Sequence, residues 1–219
     1  MIGIITAIND EILALKDSLS DYKVVEKDGC IFYEGENYVA IKAGVGKVAC
    51  AYHCTKLIDL YHPELLLNVG VAGSLKEEIK TGSLVIADKV TYHDFIIPEG
   101  LVDDEIYTYE VKEKELAIAK KLKEADIYFG SIISGDLFVQ KEDALKILKR
   151  FPEGLACEME AGALAQVATL ANLPFLVIRA ISDVAVSEGN DVQFDEFCAK
   201  AAKRSAKFCK DYLELYYGK

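Results

Sequence analysis

Arginine is scarce in this chain: Arg150, Arg179 and Arg204 are its only three in 219 residues. Phosphate recognition favours arginine, so a phosphate site built from several guanidinium groups is disfavoured. Charge is one-sided as well, with 25 basic against 36 acidic residues and a formal net charge of −11. Nonspecific nucleic-acid binding needs a basic face, and none is expected. No apolar run reaches transmembrane length, so no membrane partner is expected either. The opening MIGIITA lacks a basic leader and runs straight into Asn9-Asp10-Glu11, which makes it a first strand rather than an export signal. Without such a signal, Cys30, Cys50, Cys54, Cys157, Cys198 and Cys209 are expected to stay reduced in a cytoplasmic setting. Cys50, His53 and Cys54 share a helical face, but a fourth ligand at zinc spacing is missing. Their neighbours Ala49, Ala51 and Leu57 favour core packing, so no metal is expected. The turn Gly44-Val45-Gly46-Lys47 lacks the spacing and the Lys-Ser/Thr pair of a phosphate loop, and no dinucleotide fingerprint occurs.

The residues that remain form an ordinary globular profile, 52% hydrophobic and 28% charged. The length suits one domain over residues 1–219. Strand and helix patterns alternate, with no internal repeat or linker. Strands are expected at Ile2–Ala7, Tyr22–Glu26, Cys30–Glu34, Tyr38–Ala43, Leu65–Val69, Leu84–Ala87, Val90–His93, Phe129–Ile133, Leu155–Cys157 and Phe175–Ile178. Helices are expected after Asn9-Asp10 with Ile12, Leu13 and Leu15 inward, from Lys47 to about Tyr61, over Glu113–Glu124 and Lys141–Arg150, and from Phe194 to Tyr217. Phe95 to Tyr109 reads as an irregular loop carrying Asp103-Asp104-Glu105, the place for a lid or a subunit contact. The pattern predicts a single three-layer α/β/α domain with a mixed, mostly parallel central sheet.

Chemistry-bearing residues recur at strand ends: Glu11, Gly44–Lys47, Gly70–Ser74, Ser134–Phe138, Glu158–Glu160 and Arg179–Asp183. Open α/β sheets bind ligands along that edge. Buried unpaired charge is costly, and Arg179 alone cannot neutralise Glu158, Glu160 and Asp183. These acids suit the cleavage of an N-glycosidic bond, which passes through an oxocarbenium-like state. Asp183 could protonate the leaving base and Glu11 could activate a water. Glu158 and Glu160 could accept bonds from sugar hydroxyls, Met159 could pack on the ribose, and Phe138 could stack on a purine.

Several pieces together resemble the nucleoside phosphorylase/hydrolase superfamily and, within it, the bacterial 5′-methylthioadenosine/S-adenosylhomocysteine nucleosidases. They are IGIITAINDE (Ile2–Glu11), AGVGKVACA (Ala43–Ala51), NVGVAGSL (Asn68–Leu75), SGDLFV (Ser134–Val139), CEMEA (Cys157–Ala161), NLPFLVIRAISDVA (Asn172–Ala185) and FDEF (Phe194–Phe197). The resemblance implies a nucleoside phosphorylase-like fold, a homodimer, no cofactor, and a purine nucleoside hydrolysed by water. It assigns N7 protonation to Asp183 with Ser182 orienting it, and water activation to Glu11 with Arg179 helping to hold the water. It assigns ribose binding to Met159 and Glu160 with Glu158 nearby, adenine stacking to Phe138, and reading of the base edge to the backbone of Val139. Ile8 and Phe194 would line the ribose and 5′ pocket. Two positions depart from the family. Val71 stands where many members carry serine, and the loop after Tyr92-His93-Asp94 is short, with Phe95, Ile96, Ile97 and Pro98 in place of a longer segment. A hydrolase for another 5′-modified nucleoside, such as a futalosine-type compound or 5′-deoxyadenosine, and a non-catalytic nucleoside-binding protein are the alternatives at this point.

Overall fold

The computed structural model describes residues 1–19, 21–95 and 107–218. Ile96-Ile97-Pro98 and the acidic cluster Asp103-Asp104-Glu105 lie outside them. Strand β1 (Ile2–Thr6) is buried at every position. It lies between β4 (Tyr38–Lys42) and β5 (Leu65–Ser74), parallel to both. A strand covered on both faces needs apolar residues throughout, which is why the isoleucine run does not alternate. Helix α2 (Lys47–Tyr61) packs so closely here that a Cβ on Gly3 would lie 2.5 Å from Leu57.

Beyond β5 the sheet curls into a ring. Strand β10 (Phe175–Val184) pairs parallel with β5 and antiparallel with β6 (Leu84–Tyr92). Strand β6 runs parallel to β8 (Ile127–Ser134), and β8 to β9 (Gly154–Glu158). Strand β9 returns antiparallel to β5 and closes the ring. From β1 and β4 the sheet extends openly through β3 (Cys30–Glu34) to β2 (Lys23–Lys27), while β7 (Thr108–Glu110) pairs with β6. The two longest ladders, β5–β10 and β6–β8, are parallel, so the expected mixed and mostly parallel sheet is present. Helix α1 (Asn9–Leu19) packs with α6 (Asn190–Tyr216), and α2 with α5 (Ala161–Leu170). Helices α3 (Glu113–Ala119) and α4 (Lys141–Arg150) complete the described helices.

Several elements differ from expectation. Leu13 is exposed and Ala14 takes its place in the core. Asp88-Lys89 do not interrupt β6; a register shift between Ala87 and Lys89 absorbs them within one strand. Tyr109 belongs to β7 rather than to an irregular loop. Helix α3 stops at Ala119. Helix α6 begins at Asn190, before Phe194. Most important, β10 does not end at Ile178 but runs on through Arg179, Ser182 and Asp183, all buried. Polar residues inside a strand read as its end when their partners, up to 111 residues away, cannot be seen.

Candidate active site

The six strand ends singled out in the sequence meet around one cavity of about 290 Å3. Ile8, Glu11, Val71, Phe138, Val139, Glu158, Met159, Glu160, Ser182, Asp183 and Phe194 all line it, together with Val45, Leu137 and Cys157. Arg179 does not. Its side chain stands behind the wall at 1% exposure, held there by Glu158 at the end of β9 and Glu160 just before α5.

Glu11 sits in the first turn of α1, directly beyond β1. Its Oε2 accepts the backbone N–H groups of Ala7 at 2.7 Å and Ile8 at 3.1 Å, and its Oε1 accepts that of Val71 at 2.9 Å. Val71 thus supports this acid with its main chain, a contact that needs no hydroxyl. Burial pushes the Glu11 pKa up, opposed by Arg179 and these three amides. Gly70 makes the approach possible, since a Cβ there would lie 2.2 Å from Glu11 Oε1 and 2.9 Å from Arg179 Nη1.

Glu158 has three donors that explain its burial. Its Oε2 accepts the N–H groups of Glu160 at 2.9 Å and Ala161 at 2.7 Å, capping α5 from outside the helix. The same oxygen accepts from Arg179 Nη2, which also donates to Asn68 Oδ1. Its Oε1 is buried without a partner among the described residues. Glu160 accepts the Gly46 N–H at 2.8 Å and lies 3.8 Å from Arg179 Nη2. Burial, reinforced by the Glu158 carboxylate, pushes its pKa up to about 8. Burial would lower the Arg179 pKa, but Glu158, Glu11 and Glu160 raise it and keep the guanidinium charged. One arginine therefore serves three acids, and Asp183 is not among them.

Asp183 is supported separately. Ser182 Oγ donates to its Oδ1 at 2.8 Å and Asn190 Nδ2 to its Oδ2 at 2.9 Å. Burial raises its pKa and these two donors hold it back. Phe138 and Phe194 meet edge to face, with centroids 5.5 Å apart, and form an aromatic wall on the same cavity. The arrangement offers three acids with raised pKa, Glu11, Glu160 and Asp183, on one cavity with Glu158 and an aromatic slot.

Sequence reasoning missed Asn68, Asn190 and Cys157. Asn68 had a usable signal, a lone amide inside the apolar run of β5. Asn190 lies in the polar turn Ser187-Glu188-Gly189-Asn190-Asp191 and had none. Cys50 and Cys54 are core thiols, and the His53 ring bonds the carbonyl of Ala49.

The family model of the phosphorylase superfamily matches residues 1–214. A 5′-methylthioadenosine/S-adenosylhomocysteine nucleosidase of Staphylococcus haemolyticus is 36% identical, with 98% of this chain and all of that one covered. Among solved structures, the nucleosidase of that name from S. pneumoniae with a transition-state inhibitor superposes with a TM-score of 0.91 at 33% identity, covering 98% of this chain and 99% of that one. The one from Neisseria meningitidis in complex with methylthio-immucillin-A has a TM-score of 0.88 at 30% identity, covering 97% and 98%.

Proposed function

The chain belongs to the phosphorylase superfamily and, within it, to the 5′-methylthioadenosine/S-adenosylhomocysteine nucleosidases, and from this we propose that its cavity hydrolyses the N-glycosidic bond of those two nucleosides. The products are adenine and the 5-thio-substituted ribose. Asp183 gives its proton to N7 as the bond between C1′ and the purine nitrogen breaks and its electron pair leaves with the base. Glu11 takes a proton from the water whose oxygen bonds to C1′. Glu160 and Glu158 Oε1 accept from the ribose hydroxyls, Met159 packs on the sugar, and Phe138 stacks on adenine. Arg179 acts one layer back, fixing Glu158 and keeping Glu11 and Glu160 in a cationic field.

The observation that carries water as acceptor is the charge of the lining. Glu11, Glu158, Glu160 and Asp183 are its ionisable acids, and among the described residues no lysine or arginine lines the cavity. Arg150 lies outward against the carbonyl of His93, and Arg204 against that of Ala125. A phosphate anion would meet these four acids and no lysine or arginine among the described lining residues. Incubation with 5′-methylthioadenosine, with and without phosphate, tests this. Free methylthioribose in both arms supports hydrolysis; methylthioribose 1-phosphate would overturn it. A panel of 5′ substituents, including 5′-deoxyadenosine and a futalosine-type compound, ranks the physiological substrate.

We read residues 1–219 as one domain acting in the cytoplasm as a homodimer, in methionine salvage. Exposed Val45, Val48 and Tyr52 beside the cavity rim support a covered face there. Light scattering should give the mass of two chains.

A further inference from the structure

Asp94 does not line the cavity, yet two of the loops that build the site meet on it. It follows β6 and His93, and its Oδ2 accepts both the backbone N–H of Asp136 and the ammonium of Lys47, each at 2.8 Å. We propose that Asp94 is a positioning residue for sugar and base recognition, acting through Lys47 and Asp136 on Glu160 and Phe138. The inference rests on the nucleosidase reading above and adds a residue to it.

The path is continuous in backbone terms. Asp136 Oδ1 accepts the N–H of Lys47 at 2.8 Å, so it caps α2 from a different loop. Helix α2 has no cap of its own, because its N-cap residue is Gly46. The close seat of Asp136 depends on that glycine, whose φ is +93° and whose Cβ, if present, would lie 3.0 Å from Asp136 Oδ1. The Gly46 N–H, one residue before Lys47, holds Glu160 Oε1 at 2.8 Å. On the other side, Asp136 lies two residues before Phe138. A shift of Asp94 therefore moves the amide that orients the sugar-binding carboxylate and the loop that carries the stacking ring.

The charges favour this arrangement. Burial would raise the Asp94 pKa, but Lys47 and the Asp136 amide outweigh it and hold it below the ordinary carboxylate range. Lys47 also lies 5.3 Å from the Tyr92 ring centroid and 3.9 Å from Asp136 Oδ2. The side chains of Lys47 and Asp94 are 26% and 27% exposed, and pairs this open contribute little to global stability. Their placement between loops, rather than their strength, points to a role in geometry.

Asp94→Asn keeps the shape and removes the charge, and Lys47→Met removes the ammonium while leaving the capping N–H. Each is assayed on 5′-methylthioadenosine and on its 2′-deoxy and 3′-deoxy analogues. On the full substrate kcat/KM should fall roughly tenfold in both variants, and on the analogue lacking the hydroxyl that Glu160 grips the loss should shrink to about threefold or less. Equal losses on all three substrates, or no loss, would overturn the proposal, since a general structural defect ignores the hydroxyl. Wild-type release of adenine in the same assay tests the nucleosidase reading separately. If wild type binds but does not turn over, dissociation constants for the three nucleosides give the same comparison.

Discussion

Asn190 Nδ2 donates to Oδ2 of Asp183 at 2.9 Å and, with its other hydrogen, to the carbonyl of Val139 at 3.0 Å. One amide thus ties the acid on β10 to the segment expected to read the base. A donor to a carboxylate favours its charged form, so this contact opposes the upward push of burial on Asp183. Asn190→Ala should raise that pKa further. A general acid works while protonated, so activity falls as pH rises through its pKa, and the alkaline limb of kcat/KM should move to higher pH in the variant. Cys157 lines the same cavity as Asp183, and burial keeps it as a thiol at neutral pH. A lower rate with an unmoved limb would reduce Asn190 to a packing role.

Asp183→Asn keeps the volume and both neighbours but has no acid proton to give. It should lower kcat by about 10²–10⁴-fold, the usual contribution of a positioned acid, with the thermal midpoint little changed. Full turnover in this variant would remove Asp183 from the mechanism.

Gly70→Ala inserts a methyl group between Glu11 and Arg179, where the new carbon would lie 2.2 Å from one and 2.9 Å from the other. Overpacking of this kind costs about 1–3 kcal/mol. Glu11 must move, so kcat should fall by more than the loss of stability can explain. Urea unfolding and kcat measured on the same preparation separate the two effects.

Glu160 has a folded-state pKa of about 8 against roughly 4.3 for an unfolded glutamate. Between those values the folded chain holds the extra proton, so this group makes stability fall as pH rises. Glu160→Gln removes the dependence. The thermal midpoint of wild type should drop relative to the variant between pH 5 and pH 8, by about 2–4 °C for each kcal/mol of linkage. Parallel curves would show that Glu160 is ionised throughout this range.

Phe138→Ala should raise KM for 5′-methylthioadenosine roughly ten- to a hundredfold, the range expected for loss of one aromatic–base stack. An unchanged KM would place adenine elsewhere in the cavity.

Much of this protein follows from its sequence alone. The isoleucine run of β1, the apolar start of β10 and the small-residue stretch of α5 dictate a buried sheet with close-packed helices. Glu11, Glu158, Glu160 and Asp183 were legible because acids at apolar strand ends need a reason to be there. The folded arrangement decided how those acids are satisfied. Arg179 was expected to help hold the water; the fold adds that β10 continues past it and that its guanidinium donates to Asn68 and Glu158, 111 and 21 residues away. Asn190 carries no local signal, since its two acceptors come from β10 and the segment after β8. The β5 ring closure and the Asp94 junction are likewise long-range contacts. Local pattern records which residues must be buried; which polar groups meet there depends on register and crossover, and only the tertiary fold sets those.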